Sequence, residues 1–173
     1  MTKTKLSFAG AVAAALCGFS LPAVAGTPVA SPTLSVPAPK PGKGQIVVFR
    51  PGGMGSAIKC TVRENGRMIG RVGQNRFFVV DADPGVHTLT AKSEATDAVT
   101  VQVEPDETSF VKCKIAMGMM VGRPNLSPAV EEEFSKLSAK LKPMEADKLA
   151  AEIAEDQAKL SKDAKTPSPA AGN

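Results

Sequence analysis

The stretch TVRENGRMIG, residues 61–70, decides the fold, because its Asn65-Gly66 pair separates two short runs of alternating apolar and polar residues. A two-residue type I′ turn needs positive φ at both central positions, and Asn followed by Gly tolerates that conformation best. The pattern therefore predicts a β-hairpin with Val62 facing Ile69 across the two strands. One row of the hairpin is apolar and faces a core, and the other row is polar.

Similar short runs of β-forming residues lie on both sides of the hairpin, separated by Gly, Pro, Asn and Asp. This spacing is typical of an all-β sandwich or barrel. We predict a small, seven-stranded antiparallel sandwich over residues 44–126. The predicted strands are 45–50, 57–64, 67–72, 76–82, 86–93, 98–104 and 108–117.

The pattern becomes helical after residue 126. Ser127 followed by Pro128 is a typical helix start, with Ser as the N-cap and Pro at the first helical position. We predict a helical extension over residues 127–163, interrupted at Pro143 because the residue before a proline resists the α conformation. The first helix has an apolar stripe of Val130, Phe134, Leu137 and Leu141, and the second has a thinner row of Leu149, Ile153 and Leu160.

The amino terminus has the three parts of a secretory signal peptide, predicted over residues 1–25. Lys3 and Lys5 precede an apolar run too short to span a bilayer, and Ala23-Val24-Ala25 is a small-x-small cleavage site. The alternative is lipoprotein processing at Cys17, although Leu16 is a poor residue to precede the lipidated cysteine. We therefore expect a periplasmic or secreted protein, associated with a membrane only if Cys17 is lipidated.

Two further segments have the composition of chain without a packed core. Residues 26–43 are rich in Pro, Ser and Thr without apolar periodicity, which predicts a Pro-rich linker. Residues 164–173 are rich in Pro and Ala, which predicts a disordered tail.

Composition excludes some classes of function. The chain has neither Trp nor Tyr, and its formal net charge of +4 includes Lys3 and Lys5 of the predicted signal peptide. A nucleic-acid-binding surface would need more basic charge and aromatic residues for stacking. We therefore expect no nucleic-acid partner.

The two cysteines after the predicted signal peptide are Cys60 and Cys113. Cys60 is in phase with the apolar residues of its strand, and so is Cys113, so alternation points both thiols toward the interior. In an exported protein such a pair most simply forms a structural disulfide. The alternatives are two separate buried thiols, or a redox or metal function, for which the close C-x-x-C spacing is missing.

His87 is the only histidine, and it follows the turn residues Pro84-Gly85 at the start of a strand. We expect it to close the turn rather than to bind a metal, because a zinc site would have to use both cysteines. The preceding Asp81 and Asp83 suggest calcium, but the distal glutamate of a calcium loop is missing and aspartate is common in turns.

Three thioether side chains lie close together at Met117, Met119 and Met120. Thioethers bind Cu(I), so these residues are a weak candidate for a Cu(I) site. Methionine also fills irregular apolar gaps, here where the last predicted strand meets the helix. We expect no cofactor.

Charge is unevenly distributed along the predicted sandwich. Residues 50–76 contain six basic residues and one acid, whereas residues 81–107 contain seven acids and one lysine. If these segments lie on different faces, the domain is dipolar and attracts a charged partner. The alternative is an ordinary solvated surface.

The order of motifs resembles the bacterial envelope proteins of the domain of unknown function 2846, over about residues 44–134. The motifs are Phe49-Arg50-Pro51, the Asn65-Gly66 turn with Ile69-Gly70, the aromatic pair Phe77 and Phe78, Pro84-Gly85 with His87, and Gly122-Arg123-Pro124. The hairpin and the Pro-Gly-x-His piece are also similar to the surface-protein modules named for Pro-Glu-Gly-Ala. The resemblance implies an immunoglobulin-like or transthyretin-like sandwich, often on lipoproteins, and gives these motif residues a structural role.

A catalytic centre is not expected, because the single histidine has no evident Ser or Asp constellation. We predict a non-catalytic exported module of the cell envelope that has a structural role or binds another envelope protein. The main alternative is a glycan- or peptidoglycan-binding sandwich, which would need exposed aromatic side chains. The lesser alternative is Cu(I) binding by the three methionines.

Overall fold

The computed structural model describes residues 36–92, 96–118 and 122–165. The predicted signal peptide, most of the predicted linker, and residues 166–173 lie outside the described residues. The strands are β1 (Gly44–Arg50), β2 (Cys60–Glu64), β3 (Arg67–Val72), β4 (Arg76–Ala82), β5 (Gly85–Lys92), β6 (Thr96–Val103), β7 (Thr108–Ala116), β8 (Arg123–Ala129) and β9 (Lys142–Pro143). The helices are α1 (Glu131–Leu137), followed by a 3₁₀ turn at Ser138–Lys140, and α2 (Ala146–Lys165).

The strands form two sheets, as the sequence predicts, but the described part of the chain has nine strands rather than seven. The first sheet has the order β8-β7-β1-β4-β9, and the second has the order β3-β2-β5-β6. The expectation of a wholly antiparallel arrangement is wrong, because β1 pairs parallel with β7 and β4 pairs parallel with β9. The chain crosses between the sheets before β7, so β7 returns beside β1 in the same direction.

The hairpin of β2 and β3 contains a β-bulge. Asn65 and Gly66 both have positive φ, 49° and 79°, as a type I′ turn requires. The predicted pairing of Val62 with Ile69 is wrong, because the register shifts and Val62 lies opposite Gly70. Gly70 lies under the ring of Phe78, where a Cβ atom would be 2.4 Å from Cζ. The close approach of that ring explains why glycine occupies this position.

Residues 123–129 form strand β8, and the predicted helix start at Ser127-Pro128 is wrong. Among the described strands β8 pairs only with β7, and such an edge strand tolerates proline because one side of its backbone has no strand partner there. The Leu126 amide donates on that open side to the carboxylate of Asp97, at 2.5 Å. The first helix therefore begins at Glu131, past the predicted domain boundary at residue 126, and has Val130 at its N-cap.

The first sheet is covered on both faces, and every residue of β1 is buried. One face of that sheet joins the second sheet in the main core, which includes Ile46, Val48, Val62, Leu89 and Val111. The other face carries a second cluster, in which Phe134 of α1 meets the rings of Phe49, Phe77 and Phe110 at centroid distances of 5.4, 5.3 and 5.4 Å. α1 is therefore a third layer over the first sheet.

The last part of the predicted linker packs against the strands rather than acting as a spacer. Val36 contacts the second cluster, and the Gln45 side chain donates to the Pro37 carbonyl at 2.6 Å. Lys40 forms an ion pair with Asp81. Polar and apolar contacts together fix this segment beside β1, which periodicity in the sequence could not indicate.

Candidate functional site

Cys60 and Cys113 form a disulfide that joins the two sheets. Cys60 lies on β2 of the second sheet and Cys113 on β7 of the first, with Cα atoms 6.7 Å apart. Both side chains are fully buried in the main core. The bond therefore ties the two layers together and leaves no thiol at the surface of the described residues.

The motif residue Arg50 holds a loop closed. It is 1% exposed at the end of β1, and its Nη2 atom donates to the carbonyls of Met54 at 3.1 Å and Gly55 at 2.7 Å. Burial lowers the pKa of Arg50. The hydrogen bonds fix the loop that follows Pro51, so this part of the motif shapes the backbone.

The Gly122-Arg123-Pro124 motif starts strand β8 beside the same loop. A Cβ atom on Gly122 would lie 2.5 Å from Ile58 and 2.6 Å from Ile115, so glycine permits this packing. Pro124 is buried opposite Ile115. The motif therefore holds the edge strand β8 against β7.

His87 connects two turns. Its Nδ1 atom lies 2.6 Å from the Glu64 carboxylate, and its Nε2 atom lies 2.7 Å from the Asp83 carbonyl. Both ring nitrogens therefore face acceptors, and only the imidazolium can donate to both. Partial burial opposes protonation, but the hydrogen bonds to Asp83 and Glu64 and the charges of both acids outweigh it and raise the pKa of His87.

We expect His87 to make stability depend on pH near neutrality. Its folded-state pKa is raised, so its contribution is complete below the unfolded value of about 6.5 and is lost as pH rises through the folded value. At low pH we expect the free energy of unfolding of the wild type to be about 1 kcal/mol higher than that of His87→Gln. The difference is modest because the charged hydrogen bonds of His87 are partly exposed to solvent. Urea unfolding of both proteins between about pH 5.5 and about pH 8.5 measures the difference.

The control for this prediction is Glu64→Gln. It removes one negative charge that faces His87, so the stability that protonated His87 contributes should be lost at a lower pH than in the wild type. The other charged neighbour, Asp83, pairs with Lys43 and stays unchanged. Parallel curves for wild type and His87→Gln over the whole range would contradict the prediction.

The candidate metal ligands do not assemble into a site in the described residues. Met117 is 78% exposed, and Met119 and Met120 lie outside the described residues. Asp81 and Asp83 pair with Lys40 and Lys43. Over residues 36–92, 96–118 and 122–165, no three His, Cys, Asp or Glu side chains converge as metal ligands.

Three basic residues of the β2–β3 hairpin and of the position just before it form one surface, which we call the basic face and define as Lys59, Arg63 and Arg71. Lys59 and Arg63 alternate with the buried Cys60 and Val62 and so point away from the core. Arg71 lies opposite Thr61, and its Nε atom donates to the Thr61 hydroxyl at 2.9 Å. The outer surface of this hairpin is therefore positively charged.

Helix α2 covers the basic face with a stripe of alternating apolar and acidic residues. Leu149, Glu152, Ile153 and Asp156 are its half-buried positions, at the i, i+3, i+4 and i+7 spacing of one helix face. Asp156 accepts two hydrogen bonds from Arg63, at 2.7 and 2.5 Å. Glu152 accepts one from Lys59 at 3.0 Å. The helix therefore docks through matched charges as well as apolar contact.

Asp156 and Arg63 stabilise each other's charged form at this contact. Hydrogen bonds from Arg63 lower the pKa of Asp156, and the positive charges of Arg63, Arg71 and Lys159 add to that effect. The same hydrogen bonds raise the pKa of Arg63. Glu152 is less well matched, because its Oε2 atom is buried and has no hydrogen-bond partner among the described residues. The run of basic residues is visible in the sequence, whereas their acidic partners were not predicted from it.

A groove of about 500 Å³ lies where the edges of the two sheets approach each other. Its walls are Thr100–Gln102 of β6, Thr108–Phe110 of β7 and Pro128–Glu132 around the start of α1. Ser109 donates to the Gln102 carbonyl at 2.7 Å and so occupies part of the open β6 edge. The groove walls present polar backbone groups, and their charged side chains are those of Glu131 and Glu132.

The described helices do not include one that could cross a bilayer, since none is both long and apolar enough.

The chain is similar to a protein family that has no described activity. The family model "Protein of unknown function (DUF2846)" matches residues 40–124. An uncharacterised protein of Haemophilus influenzae is 28% identical over 104 residues, which are 60% of this chain and 62% of the relative. The chain thus spans less than two thirds of that relative. No solved structure matches significantly.

The matched segment includes β1 to β7, the disulfide, Arg50, His87 and the Gly122-Arg123-Pro124 motif, whereas α1 and α2 follow it in the chain. The resemblance to the DUF2846 family is therefore confirmed over residues 40–124, the segment that the family model matches.

Proposed function

We propose that this protein is a non-catalytic, exported module of the bacterial cell envelope that binds another envelope protein. We assign its two sheets to the immunoglobulin-like or transthyretin-like class of sandwich. The observation that carries the proposal is the buried Cys60–Cys113 bond between the sheets. Such a bond forms and persists in an oxidising compartment, and the bacterial periplasm is one.

The side chains best suited to chemistry are engaged in structure, which supports a non-catalytic role. Both nitrogens of His87 face acceptors inside the fold, both cysteines are bonded to each other, and Arg50 holds a loop. The charged side chains of the basic face and of α2 instead form a contact of complementary charge. Complementary charge guides association between proteins and selects among partners.

Glycan binding receives no comparable support. Glycan-binding surfaces typically stack sugars on exposed aromatic rings, and the five phenylalanines in the described part of the chain are all buried: Phe49, Phe77, Phe78, Phe110 and Phe134. The Cu(I) alternative has one described residue, the exposed Met117. Neither alternative therefore has a specific geometric observation in its favour.

Expression of the full chain in a Gram-negative host tests the proposal. We expect the protein to be released with the periplasmic fraction, and Cys60 and Cys113 to resist alkylation until the protein is denatured and reduced. A photo-crosslinking amino acid at exposed positions then captures a specific envelope protein in living cells. Retention in the cytoplasm with both thiols reduced would contradict the proposal, and so would crosslinks that are no more specific than those of an unrelated exported protein.

A further inference from the structure

The contact between α2 and the basic face indicates what kind of protein segment the partner presents, provided that the proposed interaction function holds. The pairs Arg63–Asp156 and Lys59–Glu152 have largely buried carboxylates, since the acidic side chains are 13% and 14% exposed. Leu149 of α2 packs against the main core, and so does Met144 of the segment before the helix. Both charge complementarity and apolar contact therefore hold α2 in place.

The chain before α2 is fixed, which places a pivot at one residue. The amide of Lys142 donates to the Asn75 carbonyl at 3.0 Å, and the amide of Met144 donates to the Phe77 carbonyl at 2.8 Å. Leu141 is buried in the cluster under α1. Only Glu145 separates this anchored segment from α2, which begins at Ala146. Release of α2 would therefore bend the chain at Glu145, while the hydrogen bonds of Lys142 and Met144 hold the segment before it.

The buried carboxylate of Glu152 is a weak point of the docked helix. Lys59 satisfies its Oε1 atom, whereas Oε2 is buried without a hydrogen-bond partner among the described residues. An unsatisfied buried oxygen opposes docking, because water would solvate it in the released helix. A partner with a better-placed acid would avoid this cost.

We infer that the basic face is a docking site for an acidic helix of a partner protein, and that α2 occupies this site within its own chain. The surface fits a helix with acids at i and i+4 beside apolar residues, because Glu152 and Asp156 have that spacing beside Leu149 and Ile153. A partner helix of this pattern has to displace α2. The helix is therefore a built-in competitor that sets how readily the partner binds.

The test uses full-length protein and, as the probe, a fluorescein-labelled synthetic peptide of residues 146–165. The variant Glu152→Lys/Asp156→Arg repels α2 from the intact basic face. We expect this variant to bind the peptide at least about tenfold more tightly than wild type, with affinity falling as salt increases. The matched control is Asp147→Lys/Asp163→Arg, which makes the same charge change at exposed positions of α2 and should bind like wild type.

Two further measurements identify what the surface recognises. Adding Arg63→Glu to the released variant should abolish binding of the natural peptide, and a peptide with Asp156→Arg should restore it. Hydrogen exchange should rise in α2 of the released variant and remain slow in β1 and β7. These readouts separate release of the helix from loss of the fold.

Several outcomes would overturn the inference. Equal peptide binding by wild type and the released variant would show that α2 does not compete for the surface, and unchanged exchange in α2 would show that charge does not hold it. Polyphosphate that binds the released variant more tightly than the peptide would show an anion surface rather than a helix site. Each of these leaves the proposed envelope role intact, because that role is tested by localisation and crosslinking.

Discussion

Replacing Cys60 and Cys113 together by alanine is expected to lower the free energy of unfolding by roughly 4 kcal/mol. The bond closes a loop between residues 53 positions apart, and without it the unfolded chain gains the conformational freedom that this loop restricts. Both side chains are fully buried, so alanine leaves no polar group unsatisfied in the core. Since small domains are stable by only about 5–15 kcal/mol, the loss is a large part of the total.

Urea unfolding of the oxidised wild type and the double variant measures this effect. The wild type under strong reductant serves as a second reference and should lose a similar amount of stability. Val86→Ala, a truncation at a 69% exposed position of β5, is the control for a general effect of substitution and should change stability by less than about 0.5 kcal/mol. A loss below about 1 kcal/mol in the double variant would contradict the role given to the disulfide.

The strands between residues 44 and 117 could be predicted because their signals are local. The Asn65-Gly66 turn fixes the φ values of the hairpin, and β3 and β4 have the predicted bounds. The bulge between Val62 and Arg63 was not predicted; it places Gly70 opposite Val62, where the ring of Phe78 from another strand lies against it. Local propensity specifies the turn, whereas tertiary packing specifies the register beyond it.

β8 shows where a local signal fails. Ser127-Pro128 is a typical helix start. The other two helix signals, the glutamates and the apolar spacing, belong to α1 just beyond it. The strand forms because β7 offers a free edge and Asp97 accepts the outward amide of Leu126. Neither partner lies near residue 127 in the sequence, so the choice between helix and strand is decided by tertiary contact.

The candidate docking surface could be predicted only in part. The excess of basic residues between Arg50 and Arg76 is visible in the sequence, but Arg50 belongs to that run and is buried, so the count alone does not define a surface. The acids Glu152 and Asp156 interrupt the apolar row of α2 at helical spacing, which is the signal that indicates a charged contact face. Their partners 93 positions earlier follow only from the fold.

The second large effect is expected from Phe134→Ala, which should lower the free energy of unfolding by about 3–5 kcal/mol. Phe134 is 3% exposed and meets three other rings with centroids within 5.4 Å, so truncation leaves a cavity between α1 and the first sheet. The position lies beyond residues 40–124, the segment that the family model matches. Urea unfolding measures the total loss, and hydrogen exchange in α1 measures local release of the layer.

Phe134→Leu separates the two contributions to this effect. Leucine keeps most of the buried apolar volume but removes the ring–ring contacts, so its loss should be about 1–2 kcal/mol. Val130→Ala, at a 61% exposed position one turn earlier, is the matched control and should change stability by less than about 0.5 kcal/mol. If Phe134→Ala cost as little as Val130→Ala, α1 would not be a structural layer, and the burial of both faces of β1 would have to depend on other contacts.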